Sequence, residues 1–107
     1  MSGIQEISPQ QLSSELESST VTLIDVREPD EYAAQAIPGA RLVPMDQVLT
    51  GAVELPRDEE LVVQCKLGGR SGRVAEALVG AGYTNVRNLT GGIEAWAEAG
   101  LPTQPGS

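Results

Sequence analysis

Residues 62–78 read VVQCKLGGRSGRVAEAL. The residues LVVQ, 61–64, form an unbroken apolar, β-branched run closed by one polar residue, the pattern of a strand buried on both faces of a parallel sheet. The run breaks at Cys65, passes two glycines, and resumes with Val74, Ala77, Leu78 and Ala81 at the i, i+3, i+4, i+7 spacing of an amphipathic helix that stops near Gly80 or Gly82. A buried strand that feeds a helix through a short loop is half of a βαβ unit, so this one stretch predicts an α/β domain with a mainly parallel sheet.

The flanking sequence repeats that rhythm. In SPQQLSSEL, Ser8 is a candidate N-cap with Pro9 at the first helical position and Gln11 placed to complete a capping box, and Leu12 and Leu16 share one face. Residues 20–26, TVTLIDV, read as a second buried strand ending in Arg27 and Glu28. A short helix in EPDEYAAQA, with Pro29 in its first turn, closes on the turn IPGA. A strand at 40–43 and a helical turn through MDQVL lead to an acidic loop containing Pro56, Arg57 and Asp58. Beyond the central unit, NVRNL is a further strand. Thr90 is a candidate cap for a last helix in which Ile93, Trp96 and Ala97 share a face, ended by Gly100 and Pro102. The tail TQPGS, residues 103–107, reads as loose. There is no internal repeat and no low-complexity segment.

The chain has 107 residues, enough for one compact domain that buries roughly two-thirds of the surface its unfolded chain would expose. It has no Phe, so Leu, Val, Ile and Ala must build most of the core, with Trp96 expected among them. A net charge of −8 repels nucleic acid and anionic membrane surfaces. No apolar run approaches the roughly 20 residues of a membrane span, and the start MSGIQEISPQ lacks the basic and apolar regions of a secretory signal, which predicts a cytoplasmic protein. With one Cys and no His there is neither an internal disulfide nor a basis for a zinc or iron site, and no cofactor is implied. The missing His also removes the commonest general base, so a nucleophile here must be activated by backbone amides, charge and helix dipole.

Cys65 is placed for that role, because ligand sites of open α/β sheets lie beyond the carboxyl ends of the strands. Gly68 and Gly69 allow the amides that follow to converge as an anion-binding nest, and the next helix adds its own unpaired N–H groups. Lys66, Arg70 and Arg73 give residues 65–73 a charge of +3, against −11 for the remainder. Such a setting favours a thiolate, with a Cys65 pKa below the ordinary value of about 8.5, and suits a small anion such as a sulfur oxyanion or phosphate held by the fork of Arg70. The competing reading is structural: a lone Cys after an apolar strand is most often a small buried hydrophobe, a glycine pair is often only a turn, and Lys66 and Arg73 are then solvated charges.

These same residues carry a resemblance. LIDVREPDEYAAQAIPGA, CKLGGRS and NLTGGIEAWAEAGLP resemble, in order, the first motif, the active-site loop and the C-terminal signature of the single-domain rhodaneses, a family of sulfurtransferases, and together they span most of the chain. The resemblance implies a three-layer α/β domain with a five-stranded, mainly parallel sheet and helices on both faces. It implies Cys65 as nucleophile and persulfide carrier, taking sulfane sulfur from an anionic donor such as thiosulfate and passing it to an external thiol, cyanide or an acceptor protein. Arg70 would close the loop over the substrate anion, the amides of Lys66, Leu67, Gly68, Gly69 and Arg70 would cradle the persulfide, and Lys66 would assist anion binding. Four residues separate Cys65 from Arg70, the sulfurtransferase loop length in this family; related phosphatases have one more, which makes phosphoryl transfer the weaker enzymatic reading. The loop also resembles those of rhodanese domains attached to adenylating enzymes, so a sulfur-relay or interaction module serving a partner is the alternative. Ala36 stands where many relatives carry His, and Asp25 and Arg27 match the family's DVR, read here as ordering neighbouring loops.

Overall fold

The structure is a computed structural model that describes residues 4–106; the final tail residue, Ser107, lies outside them. Five strands, β1 (Gln5–Ile7), β2 (Thr22–Asp25), β3 (Arg41–Leu42), β4 (Leu61–Gln64) and β5 (Val86–Leu89), form one sheet in the order β1-β5-β4-β2-β3, with every neighbouring pair parallel. Helices α1 (Pro9–Glu17), α2 (Pro29–Ala34), α3 (Met45–Leu49), α4 (Gly69–Gly80) and α5 (Gly92–Glu98) connect or follow them. Among the described residues no helix is long and apolar enough to cross a membrane.

Alternation along the central strands splits the core in two, because successive side chains of a strand face opposite ways. Ile24, Val26, Val63 and Cys65 point to the side of α3 and α4, where Val74, Ala75 and Leu78 meet them. Leu23, Val62 and Leu89 point to the side of α1 and α5, where Leu12, Ile93 and Trp96 close the second core. All four residues of β4 are buried, as their apolar run requires. β4 is the middle strand, which puts its carboxyl end, and Cys65 just past it, at the centre of that edge of the sheet.

Several elements differ from expectation in detail. β1 follows no strand pattern in the sequence; its three residues gain their place only by pairing with β5, Gln5 beside Arg87 and Ile7 beside Leu89. Ser8 caps α1, its Oγ accepting from the Gln11 amide at 3.1 Å, but the Gln11 side chain turns to Glu15 instead of back to the cap. The buried face of α4 is Ser71, Val74, Ala75 and Leu78, which shares Val74 and Leu78 with the expected face, whereas Ala77 and Ala81 are exposed. The cap of α5 is Gly91, not Thr90, whose hydroxyl bonds Glu6 Oε1, and Ala97 faces outward while Ile93 and Trp96 are buried. Where a loose tail is expected, Gln104 instead pairs with Ala36 through both backbone hydrogen bonds and Gly106 donates to the Tyr32 carbonyl. Ala36, at this pairing, is buried.

Candidate active site

The loop is built from both sides of the sheet edge. β4 delivers Cys65, and Gly68 takes a left-handed backbone conformation, φ +106°, that turns the chain into α4. Only glycine adopts that region without steric cost. Gly69 needs no such freedom: it has helical geometry and open space around it, so the turn rests on one glycine of the pair.

Below the loop, α5 holds its backbone. The amides of Ile93 and Glu94 donate to the carbonyls of Cys65 and Lys66 at 2.9 and 3.1 Å. The approach is so close that a Cβ on Gly92 would lie 2.4 Å from the Lys66 oxygen and 2.5 Å from the Cys65 oxygen. Gly92 also has φ +63°, so both its conformation and its surroundings require glycine.

Cys65 is buried, yet its Sγ is surrounded by donors. Gly68 N–H lies 3.1 Å away, Ser71 N–H 3.3 Å and Ser71 Oγ 3.2 Å. Ser71 in turn donates to Asn88 Oδ1 at 2.6 Å. The orientation of the Asn88 amide follows from its other contacts, since Nδ2 reaches the Gly68 carbonyl and Glu6 Oε2, both acceptors only. A serine hydroxyl has one proton, so it cannot serve Asn88 and the sulfur at once. With a thiol, S–H donates to Ser71 Oγ and Ser71 donates to Asn88; with a thiolate, rotation of the hydroxyl turns its proton toward sulfur.

Burial pushes the Cys65 thiol up, but hydrogen bonds from the Ser71 hydroxyl and from the amides of Ser71, Gly68 and Leu67 outweigh it, and the pKa falls below the ordinary thiol value. This direction matches expectation, and so do the amide hydrogen bonds that help to produce it; the Ser71 hydroxyl, first among the hydrogen bonds that lower the pKa, was not foreseen. Ser71 and Asn88 are the residues that sequence reading missed. Ser71 sits next to Arg70 in the first helical turn, where a serine is unremarkable, and Asn88 arrives from β5.

The residues expected to bind the anion differ in their surroundings. Lys66 and Leu67 are exposed, Leu67 at 63%. Arg70 is committed: its Nη1 and Nη2 donate to Oε1 and Oε2 of Glu31 at 2.8 and 3.0 Å. The same hydrogen bonds hold the Glu31 carboxyl down to about 2. Arg73 is exposed on α4, with no ion pair among the described residues. Asp25 and Arg27 form a buried bidentate pair, and Arg27 Nη2 also donates to the Gln35 carbonyl, which ties the end of β2 to α2 as the ordering role predicts. A cleft of about 280 Å³ opens beside the loop, bordered by Arg27, Glu31, Lys66 and Glu94. A larger hollow of about 420 Å³ lies between α3 and α4, away from the sulfur.

The architecture and the loop have counterparts. The family model described as Rhodanese-like domain matches residues 8–99. A sulfurtransferase of Allochromatium vinosum is 40% identical over 100 residues, covering 92% of this chain and 94% of that protein. The probable adenylyltransferase/sulfurtransferase MoeZ of Mycobacterium tuberculosis is 38% identical over 99 residues, covering 90% of this chain but 25% of that longer protein. Among solved structures, a human single-domain sulfurtransferase superposes with a TM-score of 0.80 at 32% identity, covering 90% of this chain and 97% of its own.

Proposed function

The chain belongs to the rhodanese-like domain family, and from that premise we propose that it is a sulfurtransferase in which Cys65 carries sulfane sulfur from an anionic donor such as thiosulfate to an external acceptor. The observation that carries this reading is the set of donors on one sulfur: the amides of Gly68 and Ser71 and the Ser71 hydroxyl converge on Cys65 Sγ within 3.3 Å. A thiol that merely packs a core has no use for three polar contacts, whereas a thiolate nucleophile needs them preorganised before the reaction begins.

In the first half-reaction Cys65 Sγ attacks the outer sulfur of thiosulfate. An Sγ–S bond forms, the bond between outer and central sulfur breaks, and its electron pair leaves with sulfite, giving a Cys65 persulfide. In the second, a thiolate or cyanide attacks the outer sulfur, leaves with it as persulfide or thiocyanate, and restores the Cys65 thiolate. The acceptor is external because the chain has no second Cys to resolve the persulfide as a disulfide. Lys66 and the N–H groups of Arg70 that Glu31 leaves free receive the anionic end of the donor, and the loop amides hold the carried sulfur.

Mass spectrometry after incubation with thiosulfate tests this. The expected result is a gain of one sulfur atom, absent in Cys65→Ala; no gain in the wild type argues against thiosulfate as donor. A relay to a partner protein is the second reading, favoured by the similarity to one quarter of the longer MoeZ protein. Persulfide formation without turnover on small acceptors is its expected signature.

A further inference from the structure

Arg70 is the loop cation best shaped to bind an oxyanion, yet the end of its guanidinium is already occupied by Glu31 in a two-bond pair. Glu31 is itself fixed, because the Glu28 amide donates to its Oε1 at 3.0 Å in the first turn of α2. The carboxylate is therefore a built part of the site, brought to the loop from a different element. A guanidinium has five N–H groups, so this pairing leaves Nε–H and a neighbouring N–H as one free edge for one further partner.

The other charges around the cleft do not offset that commitment. Arg27 is spent on Asp25 and the Gln35 carbonyl. Lys66 is the remaining cation of the cleft, which also contains the Glu94 carboxylate. A donor approaching Arg70 thus meets a cation already shared with the Glu31 carboxylate, while Lys66 and Glu94 line the cleft beside the loop. Each added negative charge on the donor is repelled once more by Glu31 at close range, while the attraction of Arg70 is already shared.

On the sulfur-transfer reading above, we infer that Glu31 is a specificity-determining residue that sets the site toward sulfane donors carrying a single negative charge, thiosulfonates (RSO2S⁻) and persulfides (RSS⁻), over the doubly charged thiosulfate. With a thiosulfonate the Cys65 thiolate takes the outer sulfur and the broken bond's electron pair leaves with a sulfinate, so the chemistry is that of thiosulfate with one charge fewer.

Methanethiosulfonate and thiosulfate, compared with cyanide as acceptor, isolate that charge. Glu31→Gln keeps an oxygen for the Glu28 amide and for Arg70 but removes the charge; Asp30→Asn removes an exposed acid one residue away. Glu31→Gln is expected to raise the ratio of kcat/KM for thiosulfate to that for methanethiosulfonate by at least about fivefold, the effect of one contact charge screened as in water, and Asp30→Asn to leave it unchanged. Equal changes for both donors in Glu31→Gln would show that Glu31 only positions Arg70, and would overturn the inference. A second readout needs no sulfur transfer: the rate of Cys65 alkylation by iodoacetate relative to neutral iodoacetamide should rise in Glu31→Gln, and a ratio that does not move also overturns it. If the wild type neither turns over either donor nor gains a sulfur atom from it on Cys65, the sulfur-transfer reading fails, and the alkylation ratio alone decides whether Glu31 selects by charge.

Discussion

Ser71 decides how reactive Cys65 is, because it supplies both an amide and a hydroxyl to the same sulfur. Removing the hydroxyl leaves the burial cost of the charged sulfur in place and deletes the strongest of the hydrogen bonds that oppose it. In Ser71→Ala the thiol pKa should therefore rise, and the pH profile of alkylation by iodoacetamide should move to higher pH than in the wild type. A profile that stays in place would show that the amides alone set the thiolate. At this scale Cys65 was legible, as the one thiol of the chain at a strand end before a glycine turn. Ser71 and Asn88 were not, since nothing in sequence spacing says that a residue of β5, 17 positions from Ser71, will accept its proton. Glu31 was hidden for the same reason: its partner Arg70 is 39 positions away, and from sequence each looked free.

Among the elements, α5 acts as the clamp of the loop, and its grip depends on Gly92. Two of its amides hold the carbonyls of Cys65 and Lys66, so the helix can dock only if its first residue has no side chain between them. Gly92→Ala places a methyl group against two backbone oxygens in a left-handed conformation, where strain alone costs about 1–3 kcal/mol. Thermal unfolding should show Tm lowered by roughly 4 °C or more, since a domain of this size loses about 4–8 °C per kcal/mol. Gly69→Ala, in open helical geometry, is the contrasting case and should leave Tm nearly unchanged or raise it. An equal drop in both would refute the clamp. The central strands and α4 could be read from sequence because their apolar period is long and unbroken. β1 could not, because three residues of which only Ile7 is buried have no period to detect, and their strand geometry comes from β5 alone. On α4 and α5 the large apolar residues lie on the expected faces but Ala77, Ala81 and Ala97 do not, because alanine fits either side of a helix and so marks neither.

For the whole molecule, an acidic chain with net charge −8 relies on a few ion pairs that bring distant segments together. Arg70 joins α4 to Glu31 of α2, and Arg87 joins β5 to Glu15 of α1. Both carboxylates have lowered pKa values, Glu31 down to about 2 from an ordinary 4.5, each chiefly through hydrogen bonds from its arginine. A carboxyl whose folded pKa is depressed takes up its proton more readily in the unfolded chain, so its stabilisation is complete above about 4.5 and is lost as pH falls toward the folded value. Denaturant unfolding should therefore separate wild type from Glu31→Gln at pH 7, with the variant less stable. That gap should narrow steadily between pH 4.5 and 2, because a protonated Glu31 offers Arg70 no more charge than the glutamine does. A gap independent of pH over this range would mean that the pair contributes by shape and capping alone, and that the charge of Glu31 serves the site without stabilising the fold.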